Sequence, residues 1–263
     1  FLLMCSKIRE ELNKRRKDVK IASYELESDG RYRIGSYDEA SAFSSFLPGI
    51  SGPDGIPLWC MYVNRAQAIT SFGVANKDNA IAEFLSAVWA YQLIGVQGFR
   101  TFCKINDNYY EPFQKDLAST HYDYTRCMWI EQDRIELEEV NETLGLSFNV
   151  KYYTVINRPL GALVRSLTIS NESSESKQLN LLDGLSLILP AGLTDSGLKS
   201  MRCISSAYAS VRLASDKVPL YSTKVKTHDE PEVIRVKEGT FYSAWLVDKN
   251  KLVPIEPVVD PDV

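Results

Sequence analysis

His121 in STHYDYTRCMW and His228 in KTHDEPE are the only imidazole bases in the chain, and neither stands in a signature that pairs a base with a serine or cysteine nucleophile. His121 shares its segment with Tyr122, Tyr124 and Trp129 and reads as a partly buried strand histidine, with general-base work as its sharper reading; His228, near Pro231, reads as loop surface. Glu136, Glu138, Glu139 and Glu142 gather in RIELEEVNE, a composition that imitates a metal or acid/base cluster. A strand's period of two sets Glu136 and Glu138 on one face and Glu139 on the other, so a solvated strand edge is expected. Cys5, Cys60, Cys103, Cys127 and Cys203 lie far apart, without a CxxC pair or a histidine at ligand spacing, so they read as free, mostly buried thiols. No metal, no cofactor and no catalytic residue is expected from these patterns. Nor does the sequence carry a G-x-S-x-G elbow or a glycine-rich phosphate loop.

The segment IPLWCMYVNRAQAITSFG offers another chemistry. Trp59 and Tyr62 supply flat apolar faces, while Asn64, Arg65 and Gln67 supply forked hydrogen-bonding groups. Sugars are recognised by that combination, a ring against the C–H side of the pyranose and bidentate polar groups on its hydroxyls. Trp59, Asn64 and Arg65 are the candidate substrate-binding residues; core packing explains Trp59 and Tyr62 almost as well.

These residues must be positioned by strands. Phe148, Val150 and Tyr152 alternate with Asn149, Lys151 and Tyr153, and Leu163, Arg165, Leu167 and Ile169 alternate with Val164, Ser166, Thr168 and Ser170. Leu185, Leu187 and Leu189 continue the pattern, and further strands are expected at 99–105, 134–140, 203–213, 232–236 and 240–248. Asn157-Arg158-Pro159 and the NESSES run at 171–176 supply turns between them. Residues 28–59 are dense in Gly, Pro, Ser and Asp and read as turns with short extended pieces, with 51–55 the clearest turn. The block 78–98 stays open: Ile81, Phe84, Leu85, Val88 and Gln92 follow helical spacing with Asp78 as a cap, whereas Val88 to Tyr91 also suits a strand. SKIREELNKRRKD reads as a short N-terminal helix whose KRRK run is a solvated face. Long strands, few helices and no βαβ alternation predict an all-β fold, a large sandwich.

Composition narrows the function classes. The 263 residues include 30 Lys+Arg against 34 Asp+Glu, a net charge of −4, with 44% hydrophobic and 24% charged residues. That balance excludes a disordered, collagenous or membrane-embedded chain and gives no general pull toward nucleic acid or anionic lipid. FLLMC is apolar for too few residues, and the basic run follows rather than precedes it, the wrong order for a signal peptide. Free thiols then favour a reducing compartment, and a cytoplasmic location is expected.

The order of blocks carries a resemblance. SSFLPGISGPDGIPLW, YVNRAQAITSFGVANKDNAIAEF, GFRTFCKINDNYYEPF, HYDYTRCMWIEQDRIELEEV and LVRSLTISNESSESKQLNLLDGLSLIL follow one another as in the N-terminal β-sandwich of the glycoside hydrolase family 94 phosphorylases. The stretch from Phe46 to Phe102 and the ending YSAWLVDKNKLVPIEPVVDPDV look closest to the 1,2-β-oligoglucan phosphorylases within that cellobiose-phosphorylase-like family. The resemblance implies a galactose-mutarotase-like, two-sheet antiparallel supersandwich over 31–252, an N-terminal helical or extended segment at 1–30, and a linker at 253–263 leading to an (α/α)6 catalytic barrel. It implies inverting phosphorolysis in the complete enzyme, inorganic phosphate attacking the anomeric carbon of a β-glucan oligosaccharide while an aspartic acid protonates the departing oxygen. That acid and the phosphate ligands belong to the barrel, and no position of this chain matches them. The expected partners are therefore glucan and phosphate in the complete enzyme, the barrel, and a second copy of the chain. A stand-alone carbohydrate-binding module is the alternative, and a mutarotase-like epimerase using His121 and His228 is a third reading.

Overall fold

The computed structural model describes residues 20–51, 54–106, 108–114, 122–215, 218–228, 231–249 and 251–255. The expected helix in 6–18, Cys5, His121 and the 256–263 part of the expected linker lie outside them. The described chain is mostly β with few helices, as the alternation predicts.

The first sheet has six antiparallel strands in the order β1 (Ser23–Leu26), β2 (Tyr32–Gly35), β10 (Tyr124–Ile130), β11 (Arg134–Asn141), β12 (Leu146–Thr154) and β13 (Leu163–Asn171). β10 to β13 form a meander, and the β1–β2 hairpin is added to its far edge by Gly35 pairing with Cys127 and Tyr32 with Ile130. Along β12, Leu146, Phe148, Val150, Tyr152 and Thr154 are buried while Lys151 and Tyr153 are exposed, the inside–outside alternation of a half-buried strand.

The second sheet runs β3 (Ser44–Leu47), β5 (Ile56–Val63), β6 (Ile69–Val74), β7 (Ala80–Ala82), with β4 (Ile50–Ser51) also on β5. The third is β14 (Leu179–Leu185), β8 (Phe99–Ile105), β9 (Asn108–Tyr110). One continuous core draws Ile34, Met128, Leu137, Phe148 and Tyr152 from the first sheet, Cys60, Tyr62 and Phe72 from the second, and Cys103 and Ile105 from the third. Beyond it, β15 (Ala191–Leu193), β16 (Ala209–Ser215), β17 (Val218–Thr227) and β18 (Thr240–Phe241) make a fourth sheet, and β19 (Ala244–Asp248) and β20 (Lys251–Ile255) a separate hairpin.

Asn171 ends β13 in the first sheet and starts the crossing to β14 in the third. Its Oδ1 accepts the Ser173 N–H at 3.1 Å and the Ser173 hydroxyl at 2.7 Å, and its Nδ2 donates to the Glu175 carbonyl at 2.6 Å, the local bonding that makes asparagine a turn former.

Block 78–98 resolves as a strand followed by a helix, β7 and then α1 (Ala87–Gln97). Ser86 rather than Asp78 occupies the N-cap position; the Asp78 carboxylate instead accepts the Asp195 N–H at 2.9 Å. Residues 203–213 are not one strand. Ile204, Ala207 and Tyr208 recur at helical spacing, and helix α3 (Arg202–Ser205) and a 3-10 turn precede β16; the short helix α2 (Asp195–Ser200) lies just before. The 232–236 run supplies a single bridge, Val225 with Arg235, and 240–248 divides into β18 and β19. β14 stops at Leu185, so Leu187 and Leu189 fall outside any strand. The expected boundaries also move: β1 lies within 1–30 and pairs with β2, and β20 occupies the start of the expected linker, its Pro254 tolerated because the hairpin is open at that edge. Among the described residues no helix is long and apolar enough to cross a membrane.

Candidate functional site

Trp59, Asn64 and Arg65 do not converge. Trp59 lies within β5, four residues and roughly 13 Å before its end at Val63, and Asn64 and Arg65 follow in the bend beyond it. Trp59 lies opposite Gly73 on β6, its ring meets Phe84 edge-on at 5.4 Å between centroids, and its Nε1 donates to the Asn76 carbonyl at 3.2 Å. A Cβ on Gly73 would stand 2.1 Å from the Trp59 ring, so the glycine makes the room in which that ring lies.

Asn64 is wholly buried and both ends of its amide are engaged. Oδ1 accepts the Phe43 N–H at 2.8 Å, and Nδ2 donates toward the carbonyls of Tyr37 at 3.0 Å, Ser41 at 3.2 Å and Ala40 at 3.3 Å. Asn64, read from sequence as a substrate-binding candidate, here clamps the 37–43 loop, which the Tyr37 hydroxyl fastens a second time through the Ala66 carbonyl.

Arg65 donates through Nη1 to the Tyr91 carbonyl at 3.4 Å and lies over the Tyr91 ring at 5.5 Å, so it ties α1 to the second sheet. Val63, on the same strand face as Trp59, packs with Ala66 and Ile94 beneath that helix. The outer face of the second sheet therefore presents Trp59 with Phe84 at one end and α1 at the other. The helix carries no charged residue, and Val88, Trp89 and Val96 on its far side are exposed.

The largest departure from the sequence reading is at Glu139. Far from a solvated edge, it is wholly buried, because it shares the inward parity of Ile135 and Leu137. That parity was the available signal. Its carboxylate accepts Arg126 Nε at 2.7 Å, the Phe113 N–H at 2.6 Å and the Tyr110 hydroxyl. Arg126 spends its other donors on Asp38 at 2.7 Å and the Gln114 carbonyl at 2.9 Å. Burial alone would push the Arg126 guanidinium down, but Glu139, Tyr37 and Asp38 more than reverse it and hold it well above the ordinary value. Burial, and then the Glu139 charge, pushes the Tyr110 phenol up. On the outward face burial, reinforced by Glu136, raises the Glu138 carboxyl. Asp38 belongs to the 3-10 turn that Asn64 holds, so clamp and ion cluster form one buried polar chain.

A second network was equally hidden in the sequence. Arg165 on β13 donates to Asp183 on β14, to Gln67 at 2.7 Å, to Thr101 on β8 at 3.0 Å and to the Tyr152 hydroxyl at 3.2 Å. The Thr101 hydroxyl in turn donates to Asp183 at 2.6 Å. Three sheets meet at this guanidinium, and Gln67, read from sequence beside the sugar-binding candidates, is part of that joint. Burial, with Asp183 and Glu139 nearby, pushes the Cys103 thiol up to about 12. Cys60 is likewise a buried free thiol, while Cys127 is partly and Cys203 fully accessible. His228 follows β17, with its Nδ1 3.2 Å from the Lys226 carbonyl.

The chemistry-bearing groups of the interior thus bond one another across sheets and loops, whereas Trp59 and α1 face outward. No family model matches the chain, and no curated protein matches it.

Proposed function

We propose that the chain is the β-sandwich portion of a β-glucan phosphorylase of the glycoside hydrolase family 94 type, of the 1,2-β-oligoglucan branch, and that it scaffolds an active site carried by an (α/α)6 barrel. The observation that carries this reading is the outer face of the second sheet. An uncharged helix buries Ile94 beneath it and leaves Val88, Trp89 and Val96 in solvent beside Gln92, the signature of a surface made to be covered. The core shared between the six-stranded sheet and the second and third sheets is the face-to-face packing that a layered sandwich requires, and the Asn171 crossing supports the strand–turn–strand on which the family resemblance rests. Trp59 and Arg65 enter this reading as rim residues, the first through its ring and the second by holding α1.

The test is release of glucose 1-phosphate from short β-1,2-glucans with inorganic phosphate, by this chain alone and together with any polypeptide that follows Val263 in its source. Activity confined to the combination supports the scaffold; activity of the chain alone refutes it. Exposed Trp89 and Trp245 favour one other reading, a carbohydrate-binding module that stacks sugars on its rings. Glucan retardation of the chain in affinity electrophoresis, abolished by Trp89→Ala, would select that reading over the scaffold.

A further inference from the structure

We infer that the groove between β16, β17 and the 234–236 segment is a binding site for a small phosphate monoester of about sugar size. The groove measures about 490 Å³ and is lined by Ser210, Arg212, Ser222, Lys224 and Arg235, with Thr223, Val225 and Val236 between them. That volume falls within the range of small-ligand sites. Ser210 stands directly opposite Ser222 in the antiparallel register, so Arg212 and Lys224, two residues further along each strand, share their face. Arg235 enters from the neighbouring segment through its bridge to Val225.

Two features point to an anion. All three cations of the lining are exposed, no carboxylate lines the groove with them, and no ion pair occupies any of them among the described residues, on a chain whose net charge is −4. Ser222, buried to 7% exposure, also lines the groove, and its hydroxyl makes no hydrogen bond to a described residue. The Ser210 hydroxyl, by contrast, is spent on the Ser222 carbonyl at 3.0 Å. A hydroxyl with no partner among the described residues and three exposed cationic heads form the donor set that phosphate oxygens accept from. The cations are spread along the ribbon: Arg212 pairs with Leu220, four residues from Lys224, roughly 13 Å along β17. That spacing suits a phosphate at the Lys224–Arg235 end and a polar body reaching toward Arg212, rather than a lone phosphate ion. The site lies away from Trp59 and α1 and does not depend on the phosphorylase reading.

The experiment is titration calorimetry on the full chain with glucose 6-phosphate, inorganic phosphate, glucose, citrate and an oligoglutamate peptide. Glucose 6-phosphate is expected to bind with an affinity that falls as salt rises, inorganic phosphate more weakly, and glucose not at all. Lys224→Gln and Arg235→Gln are each expected to weaken the ester about tenfold, Ser222→Ala several-fold, with Lys224→Arg restoring most of the affinity. The substituted cations are exposed, and unchanged circular dichroism and melting temperature establish that the variants are folded. Absence of ester binding, binding indifferent to Lys224→Gln and Arg235→Gln, or equal binding of citrate or oligoglutamate would each overturn the inference.

Discussion

Glu139→Gln isolates the charge of the most buried ion cluster while keeping its shape. In the wild type the carboxylate accepts from three donors: Arg126 Nε and the Phe113 N–H on one oxygen and the Tyr110 hydroxyl on the other. A glutamine can turn its NH2 group to the Tyr110 hydroxyl, which then accepts, but it leaves Arg126, itself almost fully buried, with Asp38 as its only anion. Breaking one side of a buried pair costs about 3–5 kcal/mol, a large share of the roughly 5–15 kcal/mol that holds a domain together. With a urea slope near the upper end of the usual range, about 3 kcal/mol/M, the midpoint is expected to fall by about 1–2 M. Arg126→Met combined with Glu139→Leu removes both charges and is expected to cost well below the sum of the two single changes, because neither then strands the other. Equilibrium urea unfolding followed by circular dichroism and tryptophan fluorescence measures all four proteins. A Glu139→Gln protein within about 1 kcal/mol of wild type, or strict additivity in the cycle, would refute the buried-cluster reasoning.

Asn64→Ala strips the 37–43 loop of its clamp and leaves buried carbonyls unpaired, so a loss of about 1–3 kcal/mol is expected in the same unfolding assay, against a near-neutral change if Asn64 met only ligand. Gly73→Ala drives a methyl group into the Trp59 ring and close to the Asn79 carbonyl, 2.8 Å away, so it is expected to destabilise by about 1–3 kcal/mol and to alter Trp59 fluorescence; Trp59→Ala should relieve only part of the loss, since the carbonyl stays. Lys199 and Lys77 hold the Asp195 carboxyl below its ordinary 3.8 despite the opposing pull of burial. Its contribution is therefore full above that value and disappears as pH falls through the lower folded one, so Asp195→Asn should lower the melting temperature at pH 7 and match wild type in strong acid. The lysine heads lie in water, which limits the gap to about 1 kcal/mol. Cys60 and Cys103 are expected to resist iodoacetamide in the native protein at pH 8 and to react in denaturant, with Cys203 labelled in both, as mass spectrometry of the peptides would show.

Strand existence was legible wherever a period of two ran for several residues, as in β8, β11, β12 and β13. It failed where apolar spacing was mixed, as in 203–213, because Ile204 and Tyr208 suit a helical turn as well as a strand edge. The candidate site was less legible. Asn64, Arg65 and Gln67 are adjacent in sequence and were read together as ligand donors, yet each is drawn into a different tertiary bond, to the 37–43 loop, to α1 and to the Arg165 joint. Nothing local distinguishes a forked donor that meets a sugar from one that meets a distant carbonyl. Glu139 could have been found, since a carboxylate in step with Ile135 and Leu137 points inward, but its partner Arg126 could only be named once β10 and β11 were paired in register.

The attachment of the β1–β2 hairpin bears on how the protein is made. β2 finds its second neighbour only in β10, far along the chain, whereas β10 to β13 are joined by short local turns. During synthesis from the N-terminus, the free edge of β2 must wait, unpaired, until residues 124–130 have emerged, while every later strand of that sheet meets its neighbour at once. Of the strands in that sheet β2 is the one that waits longest for its second neighbour, making its inner edge the surface on which a nascent copy of this chain is most open to joining another.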